Sequence, residues 1–253
     1  MRIAAVICPL VLAAGSVAFA ANGNGHTASA PTLEQAIENT WTSKSERYAF
    51  HVRMIRDATP ISLHVRGQTG AGTISVSLRL SDMKLADGTQ VPGPKTAALI
   101  DGPFLYERVP STIALDGKVH WLRLRISDLP TSSKDVESVH ALTPKPLLRV
   151  LGAAQIASSE RGARGFHGTI AYDDPSVRRG LAQLMGGLEF RGLRISAVVG
   201  RDGLVHRIVM TGHTADGKTT FSLRAHLFGF GKPVHVTPPA PGTFIDPHDS
   251  PPA

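Results

Sequence analysis

The sequence Ile61-Ser62-Leu63-His64-Val65-Arg66 alternates apolar and polar side chains, and the alternation returns at residues 74–80 after a glycine-bearing turn at 67–72. Successive side chains of a strand point to opposite faces of a sheet, so this period of two predicts two strands that each bury one face. The short connection predicts that they are antiparallel. This stretch decides the fold class, because its pattern recurs along most of the chain.

Similar alternating segments lie on both sides of this pair, and Asp-Gly turns such as Asp101-Gly102 and Asp216-Gly217 separate several of them. With this pair, they predict about nine to eleven strands and therefore an α+β fold that is mainly β. The further predicted strands cover residues 48–54, 97–100, 104–106, 119–124, 164–172, 193–199, 204–211, 219–228 and 234–237.

About three segments have the apolar spacing of a helix instead. Thr32 precedes an apolar stripe at residues 33–41 and is placed to cap it. A second helix is predicted over residues 146–151, and a third begins after Asp174-Pro175. An antiparallel sheet of this length curls under its own twist, and these helices can cover only part of its concave face. The sequence therefore predicts a cavity lined by aliphatic side chains.

The first twenty residues have the layout of a secretory signal peptide. A charged start at Arg2 is followed by an apolar run and by Ala18-Phe19-Ala20, which matches an A-x-A cleavage site. The apolar run is shorter than the roughly 20 residues that a membrane-spanning helix needs. We therefore expect cleavage after Ala20 and export to a periplasm-like envelope space or to the medium. A permanent N-terminal anchor is the alternative interpretation.

The single cysteine, Cys8, lies inside that apolar run, so the mature chain is expected to contain no thiol. This excludes disulfides, thiolate metal sites and a cysteine nucleophile. A lipid anchor would need a cysteine at the cleavage point, which carries Ala20 and Ala21. Beyond residue 20 the chain is expected to consist of a flexible lead-in at 21–31, a single domain at 32–237 and a proline-rich extended tail at 238–253.

The formal net charge of +7 makes the protein basic. The basic residues are scattered along the sequence and form no run with interleaved aromatics, so nucleic acid is not expected as a partner. For an exported protein, a transient contact with an anionic membrane surface is the more sensible consequence. A soluble face that happens to be basic is the alternative. A monomer is favoured, and no cofactor is expected.

One catalytic motif is present in part. Ser81-Asp82-Met83-Lys84 matches the S-x-x-K of penicillin-binding enzymes, but no S-D-N accompanies it and Lys218-Thr219-Thr220 stands where K-T-G is required. The eleven histidines form neither H-E-x-x-H nor H-x-H. We therefore expect neither a metal site nor an enzyme.

Several ordered motifs resemble a known family. Leu105-Tyr106-Glu107-Arg108-Val109-Pro110 and the segments at 117–124, 146–154, 164–172, 202–210 and 228–239 are similar to actinobacterial LppX and LprG-type envelope proteins. These segments span most of the chain in the order that the family shows. The chain differs from the family pattern because it lacks the acylated cysteine at the mature N-terminus.

The resemblance implies a half-barrel related to the LolA and LolB carriers, in which a curved antiparallel sheet wraps around helices. It also implies a non-enzymatic binder or carrier of acyl lipids, glycolipids or lipoglycans. A structural or protein-interaction domain of the cell envelope, with a solid core and a basic surface, is the alternative. The residues that we expect to line the cavity are Phe50, Val52, Met54, Val76, Leu78, Leu80, Trp121, Leu148, Leu151, Phe166, Ile170, Leu184, Met185, Ile195, Ile208, Met210, Phe221 and Leu223.

Overall fold

The structure is a computed structural model that describes residues 31–56, 59–84, 89–109, 120–129, 135–159, 164–185 and 188–246. The predicted signal peptide, nearly all of the lead-in and the last part of the tail lie outside these residues. Within the described ranges, no helix has both the length and the apolar character needed to cross a membrane.

The described strands follow one another along the chain with short turns between many of them. They are β1 (Ser45–Arg56), β2 (Thr59–Gly70), β3 (Thr73–Leu80), β4 (Met83–Lys84), β5 (Gln90–Val91), β6 (Lys95–Asp101), β7 (Phe104–Arg108), β8 (Trp121–Arg125), β9 (Gln155–Ser159), β10 (Gly165–Ile170), β11 (Phe190–Val199), β12 (Val205–Thr214), β13 (Thr219–Phe228) and β14 (Phe244–Ile245).

Twelve of these strands form one curved, unclosed sheet in the order β14-β8-β7-β6-β3-β2-β1-β13-β12-β11-β10-β9. All neighbours are antiparallel except β14 and β8, which are parallel. The hairpin of β2 and β3 turns at Ala71 and Gly72, whose φ angles of 48° and 79° are those of a type I′ turn. The pairing of β1 with β13 joins the start and the end of the domain at the middle of the sheet.

Four α-helices accompany the sheet: α1 (Leu33–Trp41), α2 (Asp135–Ala141), α3 (Pro144–Gly152) and α4 (Pro175–Met185). The predicted cap of α1 is confirmed, because the Thr32 side chain accepts from the Gln35 backbone while Gln35 Oε1 accepts from the Thr32 backbone. The sequence pattern missed α2, since its seven residues contain only two large apolar side chains, Val136 and Val139.

The predicted fold class is confirmed: the protein is mainly β, with a half-open antiparallel sheet curved around helices. Four described strands lie outside the predicted ones: β4, β5 and β14 are only two residues long, and β9 contains a single large apolar residue, Ile156, so none of them leaves an alternating pattern. Leu147, Leu151 and Leu181 of the helices belong to one buried cluster with the inward side chains of the sheet.

The C-terminal segment at 229–246 differs from the expectation. Residues 234–237 form no strand, and this prediction was wrong. Prolines at 233, 238 and 239 have no backbone N–H and cannot donate to a neighbouring strand. Side chains of the sheet bind the segment instead: Arg47 donates to the Pro233 carbonyl at 3.2 Å, and Gln68 donates to the His235 carbonyl at 3.3 Å.

The expectation that the domain ends at residue 237 also needs correction, because residues 243–246 of the predicted tail pack against the sheet. Phe244–Ile245 pairs with Trp121 and Leu122 at the edge of the sheet. Arg123 then forms a two-pronged ion pair with Asp246, and its guanidinium lies 4.3 Å from the centre of the Phe244 ring. Residues 247–253 lie outside the described part of the chain.

Candidate functional site

The concave face of the sheet has a filled part and an open part. In the filled part, the inward side chains of β11, β12 and β13 are almost all buried, including Ile195, Ile208 and Leu223. In the open part, formed by β2, β3 and β6, Leu78 and Leu80 are only half-buried. Helices α1, α3 and α4 contribute to one buried cluster that runs through both parts and that includes Val65, Val76 and Ile100 of the open part. The open part is where a ligand has access to apolar surface.

A cavity of about 490 Å³ opens at the end of the open part that carries the β2–β3 turn. We call it the rim cavity. Its floor is a cross-strand row, because Thr69 pairs with Glu46 and with Ile74, and Ile74 pairs with Ile100. The helical side of the cavity is formed by residues of α1, α2 and α3 and the segments that join them: Thr40, Trp41, Ser43, Lys44, Val136, His140, Thr143, Lys145 and Leu148. A volume of this size is typical of small-molecule pockets.

Glu46 is the unusual member of this row, because it occupies an inward position of β1 and is only 6% exposed. Its Oε1 accepts from the Thr69 hydroxyl at 3.5 Å, and its Oε2 has no hydrogen-bond partner among the described residues. Burial raises the pKa of Glu46 to about 7, against the smaller opposing effects of Thr69 and Lys145. A buried carboxyl oxygen without a partner is costly and calls for an explanation.

Tyr48 follows Glu46 on the same face and is also buried without a hydroxyl partner in the described residues. Its ring lies directly against Gly67 of β2, where a Cβ would come within 2.3 Å of the Tyr48 hydroxyl oxygen. Gly67 is therefore needed at this position. Burial and the neighbouring Glu46 raise the pKa of Tyr48, so the hydroxyl stays protonated and able to donate.

The opposite wall of the rim cavity is cationic and aromatic. The Lys145 ammonium lies 5.5 Å from the centre of the Trp41 ring, and both side chains line the cavity. His140 of α2 lines the same cavity, and its pKa is lowered first by burial and then by the charge of Lys145. The cavity thus combines an apolar floor with a rim that carries both signs of charge.

A smaller gap of about 200 Å³ lies on the other side of α2. We call it the distal gap. Val76, Leu78 and Ala98 of the sheet line it together with Val139 of α2. Val76 and Ala98 occupy the next inward positions of β3 and β6, about 7 Å along the strands from the floor of the rim cavity, and Leu78 lies one inward position further. Residues of α2 line both spaces, Val136 and His140 at the rim cavity and Val139 at the distal gap. Glu107, whose pKa is raised by burial and by Asp135, borders the distal gap.

The structure assigns the eighteen expected lining residues to different environments. Met54 and Phe166 are half-buried beside the core, Leu78 and Leu80 are half-buried in the open part, and the side chains of Leu184 and Met185 lie outside the described residues. Three of the eighteen border a gap on the concave side: Leu148 at the rim cavity, and Val76 and Leu78 at the distal gap. Eleven are buried in the core cluster: Phe50, Val52, Val76, Leu148, Leu151, Ile170, Ile195, Ile208, Met210, Phe221 and Leu223.

The expected position of Trp121 is corrected. Leu124 pairs with the buried Leu105 and belongs to the concave face, so Trp121 and Arg123 alternate with it onto the other face. There Trp121 lies beside the C-terminal segment, with which its backbone pairs. Alternation in a strand does not by itself say which of its two faces is turned inward, which explains the error.

The sequence interpretation missed the polar members of the rim cavity. Glu46, Lys145 and His140 come from three separate elements, so no local motif joins them. One signal was available for Glu46, since it precedes Tyr48, Phe50 and Val52 at a spacing of two and therefore had to share their buried face.

Comparisons with known proteins complete the description. No family profile and no curated protein sequence matches the chain. LprF from Mycobacterium bovis is similar in structure, with a TM-score of 0.44 and 16% identity over 84% of this chain and 100% of that chain. The Mycobacterium tuberculosis lipoprotein LppX is similar with a TM-score of 0.39 and 15% identity over 81% and 96%. The predicted resemblance to LppX and LprG-type proteins is confirmed.

Proposed function

We propose that the protein is an exported, non-enzymatic binder and carrier of acyl lipids. The acyl chains of the bound lipid lie on the open part of the concave face, and the polar end of the lipid lies at the rim cavity. The observation that carries this proposal is the rim cavity itself, where an apolar floor of Ile74 and Ile100 meets a buried carboxyl group without a full set of partners. The ordered sequence motifs that resemble LppX and LprG-type proteins agree with it.

The energetic basis is the removal of apolar surface from water. Each methylene withdrawn from water contributes about 0.8 kcal/mol, so a chain of about a dozen methylenes gains roughly 10 kcal/mol. The rim cavity and the distal gap provide apolar surface on neighbouring rows of the sheet. A shift of α2 away from the sheet would join them into one channel for a longer chain.

The polar end of the ligand is matched by the rim. Glu46 Oε2 accepts a hydrogen bond from a hydroxyl or amide of the ligand, which satisfies its buried oxygen. Lys44 and Lys145 are exposed and provide charge for an ester, phosphate or carboxylate group at the opening. This pattern fits a glycolipid or another lipid with several hydroxyls better than a plain hydrocarbon.

A second candidate function is a structural or interaction domain of the cell envelope. The observation that favours it is the dense packing of the core cluster, in which eleven of the residues expected at a cavity are buried. Mass spectrometry of organic extracts from gently purified protein separates the two. Acyl lipid at a molar ratio near one supports the carrier, and its absence in repeated preparations supports the interaction domain.

A matched pair of variants tests the site within the protein. Ile74→Trp places a large ring in the rim cavity, whereas Ile55→Trp places the same ring on the convex side of β1, outside the core cluster. We expect Ile74→Trp to weaken the binding of a dansylated undecanoic acid at least tenfold by fluorescence titration, because the larger side chain displaces about two methylenes of the acyl chain, each worth about 0.8 kcal/mol.

Ile55→Trp is expected to leave that binding unchanged, and both variants should keep the far-ultraviolet circular dichroism of the wild type. Equal binding by the two variants, with both folded, would rule out the rim cavity as the acyl site. If Ile74→Trp unfolds the protein, Val136→Trp is measured in its place, because Val136 lines the same cavity from α2.

A further inference from the structure

The convex face carries a row of basic side chains that only the strand order brings together. Arg224 lies opposite His51, and His51 lies opposite His64. His64 lies opposite Arg79, which in turn lies opposite Lys95. Directly opposed residues of antiparallel strands share a face, so this basic row crosses β13, β1, β2, β3 and β6. Five strands spaced about 4.8 Å apart give it a length of about 19 Å.

The members of the basic row are accessible and crowded. Arg224, His64, Arg79 and Lys95 are exposed, and the rings of His51 and His64 stack with their centres 4.4 Å apart. The pKa of His51 is lowered, first by partial burial and then by the positive charges of its neighbours. Like charges directly opposite each other destabilise a sheet. An anionic partner on this face would offset the repulsion among the basic side chains by its attraction to each of them.

A groove of about 640 Å³ lies where the basic row crosses β2, β3 and β6. Arg66 and Arg108 line it together with His64, Arg79 and Lys95. Asp82 is the carboxylate among its described lining residues, and it lies 3.9 Å from Arg79. Arg66, Lys95 and Arg108 have no ion pair with any residue that the structure describes. The groove is therefore strongly cationic.

We propose that the basic row and its groove dock the protein on the anionic phosphate headgroups of a lipid bilayer. A row of about 19 Å is longer than one phosphate group needs and matches an extended charged surface. Among the described residues, no Phe, Tyr or Trp side chain lines the groove to serve as a stacking platform for nucleic-acid bases. Docking through the convex face leaves the rim cavity uncovered, so this inference is independent of the proposed lipid cargo.

Vesicle flotation tests the proposal. The wild type is expected to float with vesicles of phosphatidylcholine that contain phosphatidylglycerol in about 0.05 M NaCl, and to be released in about 0.5 M NaCl. The double variant Lys95→Gln with Arg224→Gln removes the two ends of the basic row and frees no carboxylate. We expect it to lose about 25-fold in partitioning, because each basic residue near an anionic surface contributes about fivefold.

The control is the double variant Arg179→Gln with Arg201→Gln, which removes the same charge from α4 and from the β11–β12 turn. Its partitioning to the vesicles should fall by less than about threefold. Equal losses in the two double variants would overturn the proposal, as would equal flotation with pure phosphatidylcholine. Binding to soluble heparin without binding to anionic vesicles would assign the row to a polymer instead. Ile74→Trp should float like the wild type, whatever its acyl binding.

Discussion

The filled and the open parts of the concave face are built from the same kinds of residue and differ in what covers them. Over β11, β12 and β13, helices α1, α3 and α4 bury almost every inward side chain, and Ile208 and Leu223 have no exposed surface. Over β2, β3 and β6, the short helix α2 leaves the rim cavity on one side and the distal gap on the other. Strand patterning sets which residues face inward, and the helices decide whether that face is core or binding surface.

Truncating leucines in the two parts should give the largest contrast. Leu223→Ala removes a side chain from the filled part and is expected to lower the free energy of unfolding by about 2 to 5 kcal/mol, because it leaves a cavity in a packed core. Leu78→Ala, in the open part beside the distal gap, is expected to cost about 1 kcal/mol or less. Urea denaturation of both variants measures the difference. Similar costs would mean that the open part is packed in solution.

The carboxyl group at the edge of the open part should give the next largest effect. The raised pKa of Glu46 means that its neutral form stabilises the fold, fully below about pH 4.5, and that this stability is lost as the pH rises through about 7. Glu46→Gln keeps the side chain neutral. We expect this variant to be about 1 to 3 kcal/mol more stable than the wild type at pH 8 and nearly equal to it at pH 4.5.

Chemical denaturation at several pH values measures this profile. The control is Glu38→Gln on the exposed side of α1, expected to shift stability by less than about 0.5 kcal/mol. A Glu46→Gln profile parallel to that of the wild type would show that the carboxylate is solvated. Addition of a hydroxyl-bearing lipid should reduce the difference at pH 8, because the ligand supplies the missing partner.

The smallest effect is expected at the edge of the sheet beyond the open part, where the C-terminal segment pairs with β8. Asp246→Asn removes the ion pair with Arg123, which is partly exposed, so the cost should be about 1 kcal/mol. The backbone amides of His120 and Trp121 both donate to the Thr243 carbonyl. Their hydrogen exchange should accelerate in this variant while that of β12 stays unchanged. Unchanged exchange at His120 and Trp121 would contradict the role of the ion pair.

The sequence predicts individual elements of this fold well where one local pattern determines them. The cap at Thr32, the alternation of β1 to β3 and the helix that follows Asp174 all depend on neighbours within a few residues. Short elements leave too few residues to show a period, which is why α2 and β14 were missed.

The candidate site was less predictable because it depends on pairing between distant segments. Arg224 and His51 become neighbours only through the pairing of β13 with β1, and the basic residues look scattered in the sequence for that reason. The division between filled and open parts depends on where α3 and α4 pack, and apolar residues of both parts alternate in the same way. The face of β8 that carries Trp121 was likewise set by its partner β7.

The central position of the β1–β13 pair also has a consequence for biogenesis. Residues 45–56 can pair with residues 59–70 at once, but their second partner, residues 219–228, becomes available only when nearly the whole polypeptide has been synthesised. Such a chain is expected to fold slowly, because the central pair of its sheet joins residues more than 160 positions apart. The last long strand therefore decides when the fold is complete.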